Sequence, residues 1–369
     1  MKILLITNLY PSKKYPHYGV FVKNTYEMLC KHYKIKLVAL KKHDKKIIKL
    51  VAYILFYAKT IISGISGKYD CIYAHYISHC ELPVRIIKFF HKNILVIGNV
   101  HGEDVFSDYD EYKVNQNKAR KFMSMSDYLI SPSSYYKERL TKEYGFPKNR
   151  IFISPSGGIN ASVFYPDDKL ICRKHFGLEE KEYILGFVSR IEKGKGWDCF
   201  LQAASELIRN NKIENLRIII VGSGNEKMQM QKYIDKLNLK KYVHIMEALE
   251  QAELHFLYNS LDIFVFPTRR EAESLGLVGI EAMACAVPCV ISDAGGPLSY
   301  AKDKINSLIF DKNNYHDLEE KVLEIYNMDK YQKDELSENA MLTARKYEKQ
   351  EVEKTLLQFF GRIEKDLIC

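Results

Sequence analysis

The sequence predicts an α/β protein with two doubly wound domains, each built around a parallel sheet. Short apolar runs that favour β-strand alternate with amphipathic helical patterns along the whole chain. This alternation is typical of parallel sheets with helices on both faces. Most of the runs are bounded by Gly, Pro, Asp or Asn, as expected of strands that are buried on both sides. The chain has 369 residues, which suits two domains of roughly 150–180 residues each.

Two series of strand candidates define the domains. A stretch at 157–168 that contains Gly, Pro and Asp separates the series. We therefore predict an N-terminal domain at 1–165, a second domain at 166–345, and a C-terminal helix at 346–369 that crosses back to the first domain. We expect the two domains to face each other across a cleft, with ligands bound by loops that directly follow strands. The strand candidates are 2–7, 35–40, 71–74, 94–99, 128–131, 151–154, 183–189, 216–221, 243–246, 263–266, 288–292 and 307–310.

Charge and cysteine content restrict the partners. The formal net charge of +9 suits an anionic partner such as nucleic acid, an anionic membrane surface or a phosphorylated substrate. Nucleic acid fits poorly, because no interleaving of aromatic and basic residues and no helix-turn-helix pattern accompanies the charge. The eight cysteines form no C-x-x-C pair and mostly fall in apolar segments. We interpret them as reduced thiols of a cytoplasmic protein, neither disulfides nor metal ligands.

The segment 41–65 allows two interpretations. Five lysines occur at 41–49, and 47–64 is apolar on nearly every face. It is either a buried helix with a solvated start, or a helix whose apolar side enters the headgroup region of an anionic membrane while the lysines meet lipid. The second interpretation would place a cytoplasmic protein peripherally at the inner face of the cell membrane. The longest apolar run, 50–58, is too short to span a bilayer, and the N-terminal run 3–6 is too short for a secretion signal.

Two carboxylates follow the predicted strand 263–266. Glu273 and Glu281 are eight residues apart, and a helix is predicted to begin near Leu275. The first backbone N–H groups of that helix would be unsatisfied and would lie at the positive end of its dipole, which favours phosphate. Carboxylates on either side suit sugar hydroxyls, although the spacing alone also fits Glu281 as an ordinary helix-face residue. The predicted phosphate-binding groups are those of Ser274, Leu275, Gly276 and Leu277.

Basic residues and glycines follow two further strands. Arg190 and Lys195 come after the strand 183–189 and together offer a planar fork and a point charge for a diphosphate. Standing alone, they would also fit a solvated basic turn. Gly222 and Gly224 follow the strand 216–221, where the absence of Cβ lets the backbone approach a nucleotide.

These motifs together resemble a known family. The run E-S-L-G-L-V-G-I-E-A-M-A-C at 273–285 closely resembles the E-x7-E signature of retaining family 4 glycosyltransferases with the GT-B fold. Four more elements occur in the order of that family. They are the glycine loop from Tyr10-Pro11 to Gly19-Val20-Phe21, Val188-Ser189-Arg190 with Lys195-Gly196, Val221-Gly222-Ser223-Gly224, and the glycine pair in 293–296.

The resemblance implies the GT-B fold and the transfer of a sugar from a nucleotide diphosphate donor, most often a UDP-sugar, with retention at the anomeric carbon. By resemblance, Arg190 and Lys195 neutralise the leaving nucleoside diphosphate, so no metal or other cofactor is expected. Glu273 would bind the donor sugar and Glu281 the ribose. The acceptor would be a glycan, a lipid-linked molecule or a protein, commonly in the assembly of bacterial surface polysaccharide.

The first half of the chain contains two candidate site residues and one candidate metal motif that we reject. His101 follows the strand 94–99 and matches a strand-end histidine that, in the resembling family, binds the donor sugar or positions groups at the reaction centre. Gly19 would approach the donor phosphates or the acceptor. The family often has two glycines where this chain has His17-Tyr18-Gly19. Asp108-Tyr109-Asp110 could form a D-x-D metal motif, but that motif belongs to another architecture and a solvated turn is preferred.

Two other functions stay open. The same fold serves nucleotide-sugar epimerases, against which the spacing of Glu273 and Glu281 argues. A non-catalytic partner of a polysaccharide assembly complex would keep the fold without the chemistry. Departures from the family pattern are Ala286 and Ser299, where glycine and an acidic residue are common.

Overall fold

The computed structural model describes residues 1–16, 18–108, 113–155 and 157–368. The chain divides into two compact units. Unit 1 comprises Met1–Gly157 and Gln350–Cys369, and unit 2 comprises Gly158–Lys349. The structural division therefore lies a few residues before position 165 and a few after position 345, where the sequence analysis placed the boundaries.

Unit 1 is built on a six-stranded parallel sheet in the order β2-β1-β3-β4-β5-β6. Its central strand β3 is buried along its whole length, because helices cover both faces of a parallel sheet. The order reverses between β1 and β3, which makes their carboxyl ends the switch point of this unit. The strands are β1 (Lys2–Tyr10), β2 (Lys34–Lys41), β3 (Cys71–His75), β4 (Leu95–Asn99), β5 (Tyr128–Ser131) and β6 (Ile151–Ile153).

Among the described residues, six α-helices accompany this sheet. The last helix comes from the C-terminal end of the chain, and its residues Leu356, Phe359, Phe360 and Ile363 share a core with Ile3 and other strand residues. The helices are α1 (Val20–Leu29), α2 (Lys46–Ile65), α3 (Glu81–Phe90), α4 (Lys113–Met123), α5 (Ser134–Tyr144) and, from the C-terminal segment, α13 (Lys349–Ile368).

Unit 2 is built on a second six-stranded parallel sheet, in the order β12-β11-β10-β7-β8-β9. Numbered from β7, this is the dinucleotide-binding order 3-2-1-4-5-6, with its switch point between β7 and β10. The strands are β7 (Tyr183–Val188), β8 (Leu216–Val221), β9 (Val243–Met246), β10 (Ile263–Phe266), β11 (Cys289–Ser292) and β12 (Leu308–Phe310).

Seven helices belong to unit 2. Apolar side chains on both faces of its sheet form two core clusters, one centred on Phe187 and Phe200 and the other on Tyr258 and Phe266. The helices are α6 (Lys169–His175), α7 (Trp197–Arg209), α8 (Lys227–Lys236), α9 (Gln251–Ser260), α10 (Leu277–Ala284), α11 (Tyr315–Asn327) and α12 (Lys330–Arg345).

The predicted alternation of strands and helices is confirmed, and three local expectations need correction. The first strand continues to Tyr10 rather than ending at residue 7. The helix that carries Glu281 begins at Leu277 rather than Leu275, because Gly276 adopts a left-handed conformation (φ 79°) that ends the preceding loop. The helix predicted at 346–369 is α13, which begins at Lys349 rather than at residue 346. Seven cysteines fall within the described residues, and these seven form no disulfide.

One helix differs from the sequence-based expectation. α2 has 20 residues, and by length and composition it is apolar enough to cross a membrane. The sequence analysis judged only the uninterrupted apolar run 50–58 and so underestimated this helix, because the helix also includes residues on either side of that run. Little of it is buried within the protein.

Candidate functional site

The predicted binding residues of unit 2 lie at the switch point of its sheet. Arg190 and Lys195 lie in the loop after β7, and Glu273 lies in the loop after β10, the neighbouring strand. Open α/β sheets bind ligands outside the carboxyl ends of the strands at such a point. The order of the strands therefore brings together residues that are 78 to 83 positions apart in the chain.

The centre of this site is an ion pair. The Nζ atom of Lys195 lies 2.5 Å from Oε2 of Glu273. Only 9% of the lysine side chain and 14% of the glutamate side chain are exposed. Thr268 Oγ1 also donates to Glu273 Oε2, at 3.4 Å. The lysine predicted to bind phosphate and the carboxylate predicted to bind sugar are therefore direct partners in the ligand-free chain.

Close backbone contacts fix the two loops against each other. Gly196, which precedes α7, has φ 79°, and a Cβ at this position would lie 1.7 Å from the carbonyl oxygen of Pro267. The N–H of Arg269 donates to the carbonyl of Gly194 at 2.7 Å. Only glycine allows this approach. The contacts hold Lys195 beside the loop that carries Glu273.

Electrostatics keep Glu273 ionised. Burial alone would raise the pKa of Glu273, but the charge and hydrogen bond of Lys195, with smaller contributions from Arg270 and Arg190, outweigh it and lower the pKa. Arg190 itself is exposed and forms an ion pair with Glu192, Nη1 to Oε2, at 3.1 Å. Lys195 and Arg270 are therefore buried beside Glu273, whereas Arg190 is accessible to a ligand.

Backbone donors border the ion pair. Gly295 and Gly296 approach the loop of Glu273 closely, and the N–H of Gly296 donates to the Glu273 carbonyl at 2.6 Å. Backbone N–H groups without an acceptor at the start of a helix bind anions. Within the described parts of the chain, no acceptor is recorded for the backbone N–H groups of Ser274, Leu275, Gly276 and Leu277.

Glu281 lies in a different environment from Glu273. It is the fifth residue of α10 and therefore just over one turn inside the helix. Its carboxylate is buried and accepts a hydrogen bond from the Tyr258 hydroxyl at 3.1 Å. Burial raises the pKa of Glu281 to about 7, and the hydrogen bond only partly opposes the shift. Glu273 and Glu281 are thus 8 residues apart in the sequence, but the pKa of Glu273 is lowered and that of Glu281 is raised.

The glycines after β8 make close backbone contacts. Gly222 has φ 144°, and a Cβ there would lie 1.8 Å from the carbonyl oxygen of Ser189. A Cβ on Gly224 would lie 2.2 Å from the carbonyl oxygen of Ile191. Both glycines are therefore required to pack the loop after β8 against the loop of Arg190. The sequence analysis expected them to make room for a nucleotide, whereas the structure gives them a packing role as well.

Unit 1 places His101 in a buried polar cluster. The Nε2 atom of His101 lies 3.0 Å from Nδ1 of His75, and the two rings stack at an interplanar angle of 13°. Burial lowers the pKa of His101 to about 3, and burial with the neighbouring ring lowers that of His75. Both rings are therefore neutral near pH 7. His75 Nε2 is buried and has no hydrogen-bond partner among the described residues.

Asp104 holds the loop of His101. Its Oδ1 accepts from the N–H groups of His101 and Gly102, both at 2.9 Å, and its Oδ2 accepts from Ile77 N–H at 3.2 Å. Burial raises the pKa of Asp104 to about 6, against the effect of these donors. Asp104 therefore connects the loop after β4 to the loop after β3 and positions both histidines.

Gly19 begins α1 at the end of the loop after β1. It has φ 75°, and a Cβ would lie 2.6 Å from the carbonyl of Leu9. The ring of Phe21, two residues further, lies 4.6 Å from that of His101. The start of α1 and the histidine cluster thus meet at the carboxyl end of the sheet in unit 1.

The rejected D-x-D motif falls partly outside the described residues. Asp108 is described, whereas Tyr109 and Asp110 are not, and His17 of the first glycine loop also lies outside. In the described part of the chain, no group of three or more His, Cys, Asp or Glu side chains is arranged to hold a metal ion.

A family model matches the part of the chain that carries the ion pair. Residues 168–343 match the family Glycosyl transferases group 1. The matched residues lie within unit 2. This match covers all the candidate residues of unit 2, from Arg190 to Glu281, and none of unit 1.

Curated relatives agree with this family match. A D-inositol 3-phosphate glycosyltransferase of Segniliparus rotundus is 29% identical over 195 residues, which are 52% of this chain and 42% of the relative. One of Catenulispora acidiphila is 33% identical over 179 residues, 46% of this chain and 41% of the relative. The chain thus spans about half the length of the curated relatives that it matches.

Solved structures extend the similarity to both units. Sucrose-phosphate synthase from Thermosynechococcus elongatus has a TM-score of 0.80 at 15% identity, with 99% of this chain and 100% of that chain covered. HepE from Anabaena, solved in complex with UDP-glucose, has a TM-score of 0.73 at 16% identity, with 98% and 100% covered. Such neighbours are GT-B glycosyltransferases, and the predicted GT-B fold class is confirmed.

Sequence reasoning missed four residues around the site of unit 2 and the histidine cluster. Arg270 helps to lower the pKa of Glu273, and the Tyr258 hydroxyl donates to Glu281. His75 and Asp104 position His101. His75 ends a strand and Asp104 is in the His101 loop, so a rule that considered every polar residue after a strand would have included both. Tyr258 lies 23 residues before Glu281 on another helix, and no local pattern indicates that contact.

Proposed function

We propose that the protein is a metal-independent, retaining glycosyltransferase that uses a nucleotide diphosphate sugar, in particular a UDP-sugar. The observation that carries this proposal is the buried Lys195–Glu273 ion pair at the switch point of unit 2, beside backbone N–H groups that have no acceptor among the described residues. The arrangement combines donors for a diphosphate with an acceptor for sugar hydroxyls. The expected alternatives, an epimerase or a non-catalytic partner, have no such specific support.

Donor binding uses the two basic residues and the start of α10. Arg190 and the N–H groups of 274–277 bind the diphosphate oxygens, and Lys195 contributes its charge from beside Glu273. Glu273 accepts hydrogen bonds from hydroxyls of the donor sugar. Glu281 accepts from the ribose hydroxyls, and Gly222 and Gly224 hold the loop that borders the nucleotide. A UDP-sugar is favoured because HepE was solved with UDP-glucose.

Transfer proceeds with the leaving diphosphate stabilised by the protein. The bond between the anomeric carbon and the β-phosphate oxygen breaks, and negative charge develops on that oxygen. Lys195, Arg190 and the backbone donors stabilise this charge, and such preorganised stabilisation is usually the largest catalytic contribution. The acceptor hydroxyl attacks the same face of the sugar, and its proton passes to the departing phosphate oxygen, which gives retention.

His101 is assigned a role at the sugar rather than as a charged catalyst. Because its pKa is lowered to about 3, the ring is neutral near pH 7 and offers a hydrogen bond, not a positive charge. His75 and Asp104 are positioning residues that fix the ring and its loop. A neutral imidazole suits contact with a sugar hydroxyl.

The acceptor is proposed to be a glycan, a lipid-linked molecule or a protein, and the setting a cytoplasmic step in bacterial surface glycoconjugate assembly. The D-inositol 3-phosphate glycosyltransferases and sucrose-phosphate synthase act, by their names, on phosphorylated small molecules. A phosphorylated acceptor would also suit the net charge of +9.

The proposal is tested by acceptor-free hydrolysis of UDP-, GDP- and ADP-sugars, with and without EDTA, by the wild type and Glu273→Ala. We expect one donor to be hydrolysed in the presence of EDTA, with the activity lost in the variant. Loss of wild-type activity on adding EDTA would contradict the metal-independent site. Failure to bind any nucleotide by calorimetry would favour the non-catalytic alternative, and epimer formation without acceptor would favour the epimerase.

A further inference from the structure

The outer face of α2 exposes apolar side chains along the whole helix. The spacings of these residues match the helical period of 3.6 residues, so they occupy one side of the helix. No acidic residue occurs between Asp44 and Asp70, so nothing anionic interrupts this surface within α2. We define the α2 apolar stripe as Ile47 (79% exposed), Val51 (50%), Ile54 (59%), Leu55 (52%) and Ile62 (71%).

The opposite face of α2 belongs to the fold of unit 1. Phe56, Thr60 and Gly64 are buried, and a Cβ on Gly64 would lie 2.3 Å from Ile87 of α3. At the end of the helix, His91 Nε2 bonds to the carbonyl oxygen of Ile65 at 2.7 Å. α2 therefore packs closely against its neighbour, and it cannot leave unit 1 to span a bilayer without dismantling that packing.

Lysines border the stripe. A groove of about 570 Å³ between β2 and α2 is lined by Lys36, Lys41 and Lys59 together with Leu55 and Ile62. Apolar side chains and ammonium groups thus share one surface. This combination is complementary to a membrane interface, where acyl chains take up apolar side chains and anionic headgroups attract lysines.

We propose that the α2 apolar stripe binds the surface of an anionic lipid bilayer, with α2 lying in the interface rather than crossing it. A second copy of this chain is a poorer occupant. A twofold interface would place the same surface on both partners. It would bring Lys36, Lys41 and Lys59 of one copy close to the same three lysines of the other copy. Anionic lipid instead neutralises them. The proposal does not depend on sugar transfer, because membrane binding is measured without donor or acceptor.

The experiment is flotation of the full chain with vesicles of phosphatidylcholine alone or mixed with phosphatidylglycerol. We expect the wild type to float with the anionic vesicles and much less with the neutral ones. Ile54→Gln with Ile62→Gln should reduce binding about tenfold or more, since two exposed side chains no longer enter the apolar region. The matched control is Ile171→Gln with Ile305→Gln, because those isoleucines are also exposed, at 60% and 54%, but lie in unit 2.

Charge variants test the lysines separately. Lys36→Gln with Lys59→Gln should lower binding to anionic vesicles about tenfold at low salt, since each lysine near the surface contributes roughly 1 kcal/mol. Lys240→Gln with Lys304→Gln changes the net charge equally in unit 2 and should have little effect. Circular dichroism of every variant confirms that unit 1 is folded.

Three results would overturn the proposal. The first is equal flotation of the wild type and the stripe variant in folded form. The second is a wild-type dimer that the stripe variant converts to monomer, which would make the stripe a subunit interface. The third is resistance of the membrane-bound chain to extraction at alkaline pH, which is expected of a spanning helix and not of an interfacial one.

Discussion

The two sheets carry chemically different groups at their carboxyl ends. In unit 2 the loops after β7 and β10 hold an ion pair, Lys195 with Glu273, and the pKa of the carboxyl is lowered. In unit 1 the loops after β3 and β4 hold two stacked imidazoles whose pKa values are lowered by burial, so they are neutral. The same position in the same kind of sheet thus supplies charge in one unit and uncharged hydrogen-bonding groups in the other.

The difference shows how burial and partners decide the chemistry of a switch point. Glu273 stays ionised despite burial because a lysine is 2.5 Å away. The His101 ring instead contacts the His75 ring, and the Asp104 carboxylate accepts from the backbone N–H groups of His101 and Gly102 rather than from the ring. We infer that unit 2 provides the electrostatic stabilisation of a diphosphate and that His101 provides a neutral contact. The predictions below test this assignment, beginning with the largest expected effect.

Glu273→Gln should reduce kcat by about a thousandfold, because the variant loses the anionic acceptor for the donor sugar and the partner that holds Lys195 beside the leaving phosphate. The amide keeps the shape of the side chain but no longer balances Lys195. The measurement is the rate of acceptor-free hydrolysis of the donor that the panel identifies.

Its matched control is Glu319→Gln. Glu319 is also buried and ion-paired, with Lys212 at 2.9 Å, but it lies on α11. This variant should lose stability and retain the wild-type rate per folded molecule. Equal rate losses in the two variants would show that the effect of Glu273 comes from folding rather than from chemistry.

Lys195→Met should destabilise unit 2 by about 3–5 kcal/mol, because it leaves Glu273 buried without its partner. Trp197 is the only tryptophan of the chain and is 8% exposed, so its fluorescence follows the urea unfolding of unit 2. In the wild type the pKa of Glu273 is lowered, so the stability that the pair contributes is lost as pH falls below about 4.5. In the variant the contribution of Lys195 is absent, so the loss of stability below about pH 4.5 should be smaller than in the wild type.

The double variant Lys195→Met with Glu273→Gln separates the pair from its parts. Without a carboxylate to bury, it should recover most of the stability that Lys195→Met loses, and its dependence on pH should be small. A double variant as unstable as Lys195→Met alone would mean that packing of the lysine side chain, not the ion pair, stabilises the loop.

Glu281→Gln should stabilise unit 2 at about pH 8 by roughly 3 kcal/mol, and much less at about pH 5. Burial raises the pKa of Glu281 from 4.5 to about 7. The folded state therefore binds the proton more tightly than the unfolded state, and stability is lost as pH rises from about 4.5 to about 7. Glutamine carries no charge and avoids this loss, while the Tyr258 hydroxyl can still donate to it.

The same substitution should weaken UDP binding if Glu281 accepts from the ribose hydroxyls. Trp197 fluorescence gives the stability and calorimetry with UDP gives the affinity. A variant with unchanged stability at both pH values would contradict the raised pKa. Unchanged UDP affinity would make Glu281 a helix residue without a role in the donor site.

Local sequence patterns were enough to predict the twelve strands and the positions of the site residues relative to them. Strand and loop boundaries depend on nearby residues such as Gly222 and Gly276, whose conformations favour glycine. Contacts across the sheet were not predictable in this way. The partners Lys195 and Glu273 are 78 residues apart, and His75 and His101 are 26 apart, so their pairing depends on the order of strands in the sheet.

Exposure of α2 was also beyond the sequence. The lysines and the apolar residues of 41–65 fit both a buried helix and a surface helix, because hydrophobicity shows what a side chain favours and not what covers it. Only the structure shows that the side chains of the α2 apolar stripe are exposed. The resemblance to a family could not decide this point either, because it rested on motifs elsewhere in the chain.

His101→Asn tests the role of unit 1, where the expected effect is smallest. Asparagine keeps a hydrogen-bonding group but displaces it, and misplacement by about 1 Å can cost roughly a hundredfold in rate. UDP affinity should stay at the wild-type value, because the diphosphate groups are assigned to unit 2. The control is His91→Asn, since the His91 side chain bonds to the Ile65 carbonyl at the end of α2; this variant should leave the rate unchanged. UDP binding by His101→Asn that is as weak as that by Glu281→Gln would mean that the histidine cluster contributes to nucleotide binding. The contrast between the two sheets would then not separate their functions.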